Sequence, residues 1–399
     1  MIKFSLLLPL FLLLSIEAFA QSAAPKVAKL LPPEQASSAV ILNPKSLAKT
    51  TFGKGLPAFS YPLSKAPFTT YDGGVVKQAG SYNFPASKNI AGVYMDLQPG
   101  AIRELHWHAD AAEWAYMIEG KTRITLTNPW GQVQIAEVEE GGIWFFPKGW
   151  GHSIEALDPK GAKFILVFNN GKFTEQSSFQ LSDWISTAPV DLLTQYFGSE
   201  QLVKQLPKKE VYISRYNPNA GPLKTAYSLN PNAPPIPVSH VFNLLGQKPV
   251  AEGKGGALKL ATNKEFPASF DMSGAVMTLE PSGLRGFHWH PNADEWQFVL
   301  KGQMELTVFA SGGKASVSKL NKGDIGYVPL GYGHALKNPS NVNPAEILIV
   351  FNAGDYQSMD LDQWISTIPV SALSNSLQIP VESVEKLLPK RKETFVGPR

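Results

Sequence analysis

Apolar residues in this chain come in short bursts rather than long helical stripes. Ala91 to Leu97, Thr122 to Thr127, Trp144 to Phe146 and Phe164 to Phe168 are runs in which apolar residues sit together or alternate with polar ones. Gly, Pro and Asn separate them, as expected of strands joined by tight turns. Asn128-Pro129-Trp130-Gly131 and Ser311-Gly312-Gly313 carry hairpin-turn chemistry. Helical spacing is confined to the neighbourhoods of Ser182 to Phe197 and Leu361 to Leu377. The pattern predicts an all-β fold with short flanking helices.

Much of the chain is written twice, 182 residues apart. Phe84-Pro85-Ala86-Ser87 returns as Phe266-Pro267-Ala268-Ser269, and Gly149-Trp150-Gly151-His152 returns as Gly331-Tyr332-Gly333-His334. Trp184-Ile185-Ser186-Thr187 reappears as Trp364-Ile365-Ser366-Thr367, so the first copy has the longer loop before that tryptophan. Duplication of a β unit implies two tandem antiparallel barrels of jelly-roll type. The expected division is an arm at 21–50, one domain at 51–220, a second at 221–385 and a basic tail at 386–399. Residues 215–238 have the Pro, Ala and Asn content of a linker.

Composition narrows the setting. With 399 residues and 44% hydrophobic content, each domain can bury its own core. A net charge of +3 gives no basis for nucleic-acid binding, and the basic tail reads as a solvated terminus. Lys3, the apolar run around Leu6 to Leu14 and Ala18-Phe19-Ala20 have the layout of a cleaved export signal at 1–20. That run is too short to span a membrane, so the mature chain is expected to be secreted or periplasmic, without a membrane anchor. There is no cysteine. Disulfides are therefore excluded, and any metal must be held by nitrogen and oxygen.

Six of the seven histidines form two matching sets: His106, His108 and His152 with Glu113, and His288, His290 and His334 with Glu295. Residues two apart on a strand share a face, so His106 and His108 should point into the barrel while Trp107 points out. His152 is expected from a distant strand across the barrel. Three imidazoles and a carboxylate leave open coordination positions, a set that suits Mn²⁺, with Fe²⁺ as the alternative, better than a closed structural zinc. Two metal sites per chain follow. Trp107 and Trp289 read as outward packing residues. Arg103 and Arg285 each stand three residues before the first histidine, where a guanidinium could reach the mouth of the site and bind a carboxylate.

These words resemble a known family. Gly100, His106-Trp107-His108, Glu113 and Gly120 fit one cupin motif, and Gly141, Pro147, Gly149 and His152 fit the other, with Ala156 where asparagine is usual. The second copy keeps that asparagine as Asn338 but has Ser282 in place of the opening glycine. Arg103-Glu104-Leu105-His106-Trp107-His108, Ala112-Glu113-Trp114-Ala115-Tyr116-Met117 and Phe179-Gln180-Leu181-Ser182-Asp183-Trp184 are similar to the amino-terminal site of bacterial oxalate decarboxylases, and the second copy to their carboxy-terminal half.

The resemblance implies a bicupin enzyme that converts oxalate to formate and CO₂ using Mn²⁺ and dioxygen, as a trimer or hexamer. It also implies a lid at Thr174-Glu175-Gln176-Ser177 whose glutamate handles the proton, with Arg103 orienting the substrate. Ser358 aligns with Glu175, and Ile349 stands where some relatives carry a glutamate, so catalysis is expected at the first site. Arg285 is a weaker candidate for substrate binding at the second. Retention of the lid glutamate separates decarboxylase from the nearest alternative, an oxalate oxidase yielding CO₂ and H₂O₂. A non-catalytic ligand-binding or storage bicupin is the alternative from another class, against which both intact ligand sets argue.

Overall fold

The computed structural model describes residues 56–220, residues 229–387 and the strand Thr394–Phe395. The expected export signal at 1–20 and the expected arm at 21–50 lie outside the described residues. The chain is mostly strand, folded into two barrels, with short helices after each.

In the first barrel Glu113–Thr127 is the backbone of the structure. Its first half pairs with Gly142–Phe146 and Ala162–Phe168, and its second half with Val133–Glu139 and Gly151–Ala156. Gly120, at φ 87°, lets the strand turn the corner between those two sets of partners. The second copy reaches the same geometry with two strands, Glu295–Lys301 and Gln303–Ala310, divided at Gly302 with φ 75°.

The continuous apolar runs have a structural cause. Trp144, Phe146, Phe164, Leu166, Ala115 and Met117 face the first barrel's interior. Their neighbours Ile143, Phe145, Ile165, Val167, Trp114 and Tyr116 face a second core shared with the other barrel. Such strands are buried on both faces, which removes the polar alternation. At that junction the Trp114 ring fills the space above Gly274, and Trp296 fills the equivalent space above Gly92. Either glycine's missing Cβ would overlap the indole.

The barrels also exchange strands. Ser60–Tyr61 pairs with Ile325–Val328 of the second barrel, while Val241–Asn243 pairs with Gly142–Phe146 of the first. Division at 220/221 therefore does not describe the sheets, because each copy donates its leading strand to the other. The tail departs from expectation too: Thr394–Phe395 is not a free terminus but runs parallel to Leu284–Arg285.

Helices Leu181–Thr187, Val190–Phe197 and Glu200–Val203 follow the first barrel, and Leu361–Thr367, Val370–Leu377 and Val381–Val384 the second. Gly198, left-handed at φ 73°, closes the longest of the first group. Trp107 packs outward, stacked on Phe179 at 5.4 Å and edge-on to Trp184 at 5.6 Å, and Trp289 meets Trp364 in the same way. Among the described residues no helix is long and apolar enough to cross a membrane.

Candidate metal centres and active site

The two predicted sets converge as two buried clusters. In each, the three imidazoles and the carboxylate offer ligand atoms all within 4.8 Å of one another. His106 lies on the strand Ile102–Trp107 and His108 just beyond its end, while Glu113 opens the next strand. His152 does not come from across the barrel. Its strand is the immediate neighbour, with His106 and His152 paired in register, and His288 with His334 likewise. Adjacent strands bring the two rings to 4.2 Å in the first centre and 4.0 Å in the second.

Each ring is aimed by its outer nitrogen. Nδ1 of His106 donates to Glu104 O at 2.6 Å, and Nδ1 of His152 to Trp150 O at 2.9 Å. His108 Nδ1 lies 3.2 Å from Ser178 Oγ. In the second centre Nδ1 of His288, His290 and His334 donate to the carbonyls of Gly286, Gln357 and Tyr332. A carbonyl only accepts, which places the proton on Nδ1 and leaves Nε2 free to ligate. His152 Nε2 is buried with no hydrogen-bond partner among the described residues, an orphan that a cation would satisfy. The donor set therefore fits a divalent ion in each centre.

Electrostatics agree with that use. Burial, the Arg103 charge and the neighbouring rings push His106 well below its ordinary value, and burial does the same to His288. Neutral imidazole is the ligating form. Burial alone would raise Glu113, but the neighbouring His108 and His152 rings hold it far below the carboxylate range, and Glu295 is lowered by His334 and His290.

The two carboxylates are supported differently. Trp144 Nε1 donates to Glu113 Oε1 at 2.9 Å. In the second centre Gln297 Nε2 donates to Glu295 Oε1 at 2.5 Å, in space left by Gly326 at the position of Trp144. One N–H serves one oxygen in both, supplied from different strands.

Beside the first centre stands Arg103, fully buried rather than in a surface ion pair. It donates from Nη1 to Gln180 Oε1 at 2.9 Å and from Nη2 to Glu175 Oε2 at 3.1 Å. Its guanidinium lies 3.9 Å from the Tyr212 ring centre. Glu175 opens the short 3-10 turn Glu175–Ser177, in the segment where the first copy is longer, and is 1% exposed. Tyr212 Oη donates to Glu175 Oε2 at 2.6 Å, and Glu175 N donates to Gln78 Oε1. Glu175 Oε1 has no partner among the described residues. Gln180, paired with His106, and Ser178, beside His108, join the Arg103–Glu175 pair to the predicted metal ligands in one buried cluster.

At the second centre Arg285 donates to Asp360 Oδ1 at 2.5 Å and to Ser358 Oγ at 3.0 Å. Ser358 therefore occupies the place on Arg285 that Glu175 takes on Arg103, and Asp360 the place of Gln180.

Three contributors escaped sequence reasoning. Tyr212 holds a left-handed φ of 63°, rare for an aromatic residue, and the signal was in the repeat: Glu210-Val211-Tyr212-Ile213 returns as Glu393-Thr394-Phe395-Val396, without the hydroxyl. Glu104 accepts from Ser182 N, Ser182 Oγ and Tyr212 N, tying helix and tyrosine to the metal strand. Its replacement by Gly286 in the second copy was the available signal. Asp360 was visible only as the partner of Gln180 in the repeat.

Comparison with known proteins agrees with this geometry. The Cupin family matches twice, over residues 60–203 and 242–385. Oxalate decarboxylase OxdC of Bacillus subtilis is 39% identical over 325 residues, covering 81% of this chain and 83% of the relative. A probable oxalate decarboxylase of Arthroderma benhamiae is 30% identical over 350 residues, covering 85% and 82%. A solved structure of the B. subtilis enzyme, concerned with its Mn(II) centres, superposes with a TM-score of 0.77 at 36% identity, covering 86% of this chain and 90% of that one.

Proposed function

Because this chain belongs to the oxalate decarboxylase family of bicupins, we propose that it is a manganese-dependent carboxy-lyase splitting oxalate into formate and CO₂ at its first centre. The observation that carries the choice of centre is the buried Arg103–Glu175 pair, which the second centre lacks. Mn²⁺ held by His106, His108, Glu113 and His152 would supply a Lewis-acidic, redox-active anchor for substrate oxygens.

The chain's own groups do the rest. Arg103 presents a planar fork suited to a carboxylate, in a pocket where burial strengthens the contact. Glu175 must leave Arg103 to admit the substrate, and a single 3-10 turn is a light element to move. Its free Oε1 is the atom available to take the proton of hydrogen oxalate. When the carbon–carbon bond breaks, CO₂ departs and the same carboxyl returns that proton to the remaining carbon, giving formate. Tyr212 and Gln78 hold Glu175 at its post, and the turn above it excludes water. Next to the lid, a groove lined by Gln176, Ser177, Ser178, Trp107 and Asp110 offers an approach.

Export, participation of dioxygen, a metal at His288, His290, Glu295 and His334 in a supporting role, and self-association belong to the same proposal. The apolar run before Ala20 supports the first, and exposed Trp184, Leu192 and Tyr196 support the last. The test is the product balance from oxalate with Mn²⁺-loaded protein in air. One formate per oxalate is expected. Hydrogen peroxide without formate would make the chain an oxidase, and absence of both would remove oxalate as its substrate.

A further inference from the structure

The two centres differ most in what holds their arginines. Arg103 and Arg285 are equally buried, and each donates from Nη1 to a side chain on the residue paired with the first histidine of its set: Gln180 beside His106, Asp360 beside His288. In the first centre that residue is a neutral carboxamide, itself donating to Glu210. In the second it is a carboxylate.

The consequence is one of charge. A divalent ion on three neutral imidazoles and one carboxylate leaves one net positive charge in either centre. When Glu175 withdraws with its turn, Arg103 adds a second positive charge, free to hold the second carboxyl group of oxalate. Asp360 has no such freedom. It lies in the strand Met359–Asp360, paired to His288–Trp289, and it directly precedes the helix Leu361–Thr367. Both sides of the residue are locked in regular structure, and the carboxylate is 2% exposed. Arg285 is therefore neutralised permanently, and its Nη2 is taken by Ser358. An incoming second carboxylate would meet Asp360, whose Oδ2 has no hydrogen-bond partner among the described residues. Burying two carboxylates side by side on one guanidinium is costly.

We propose that Asp360 closes the second centre to dicarboxylates by holding Arg285, so that one side-chain difference, Gln180 against Asp360, decides which centre binds oxalate. The inference rests on the reading of oxalate as substrate.

The experiment counts labelled oxalate bound per chain by equilibrium dialysis, in Mn²⁺-loaded protein carrying Glu175→Gln so that bound oxalate is not consumed. One oxalate per chain is expected. Adding Asp360→Asn, which keeps shape and an acceptor for Arg285, should raise the count to two with both metals retained. The reciprocal change, Gln180→Asp, should weaken binding at the first centre by tenfold or more. It also decides the matter alone if Asp360→Asn does not fold or load metal. Two oxalates per chain with Asp360 intact, or unchanged binding after Gln180→Asp, would overturn the role of Asp360 and leave the decarboxylase reading standing. No oxalate bound to the parent would overturn both.

Discussion

Tyr212 Oη lies 2.6 Å from Glu175 Oε2, joining a residue of the segment after the helices to the 3-10 turn beside the first centre. The tyrosine ring is sandwiched between the Arg103 guanidinium and Tyr71, 4.1 Å away. Burial and the nearby Glu175 charge push the phenol well above its ordinary value, so it stays a donor.

Tyr212→Phe keeps the stacking and deletes that one donor. A hydrogen bond to a charged group contributes about 1.5–3 kcal/mol, so kcat should fall about ten- to hundredfold. KM and the melting temperature should change little, since the ring still fills its place. Steady-state kinetics with oxalate check this; an unchanged kcat would remove Tyr212 from the positioning of Glu175.

Metal affinity can be lowered one centre at a time. Trp144→Phe removes the N–H on Glu113, and Gln297→Leu removes the one on Glu295. Losing such a partner typically costs 10–100-fold in affinity. Titration of metal-free protein with Mn²⁺ should show one weakened and one unchanged site in each variant, with opposite assignments by EPR.

The junction between the barrels gives a stability test. Gly274→Ala forces a methyl group into the Trp114 ring, and overpacking of this kind costs about 1–3 kcal/mol. Thermal unfolding should drop accordingly. Gly253→Ala, where a Cβ meets nothing within 4 Å, should stay within about 0.5 kcal/mol.

The seventh histidine predicts an acid limb to stability. Burial holds His240 below its ordinary 6.5, partly offset by its bond to Phe145 O. A base with a depressed folded-state pKa leaves the unfolded chain binding more protons as pH falls below 6.5. Its contribution is thus fully present above 6.5 and lost as pH falls through the folded value, with a slope of at most about 1.4 kcal/mol per pH unit. Denaturant unfolding of His240→Gln should show a shallower decline between neutral and acid pH than the parent.

The repeat made the metal ligands and the duplicated barrels legible, because those features are local words at fixed spacing, and it marked the longer first-copy loop that carries Glu175. What stayed hidden depended on pairing between distant segments. Spacing could not say that His152 stands beside His106, since strand order in a barrel is not sequence order. The exchange of Ser60–Tyr61 and Val241–Asn243 between barrels was invisible for the same reason. Continuous apolar runs were correctly read as strands, yet their meaning, burial between two cores, needed the second barrel in place. Tyr212 acts through a left-handed backbone that no motif announces, and Trp144 and Gln297 do one job from positions that do not align.

The measurement closest to the central claim is the formate and peroxide yield of Glu175→Gln beside the parent, both loaded with Mn²⁺ and given oxalate in air. Glutamine keeps the shape and removes the proton carrier, so formate production should fall by about 10² to 10⁴ while Mn²⁺ content and oxalate binding persist. Formate at the parent's rate would contradict the account and move the proton transfer away from Glu175.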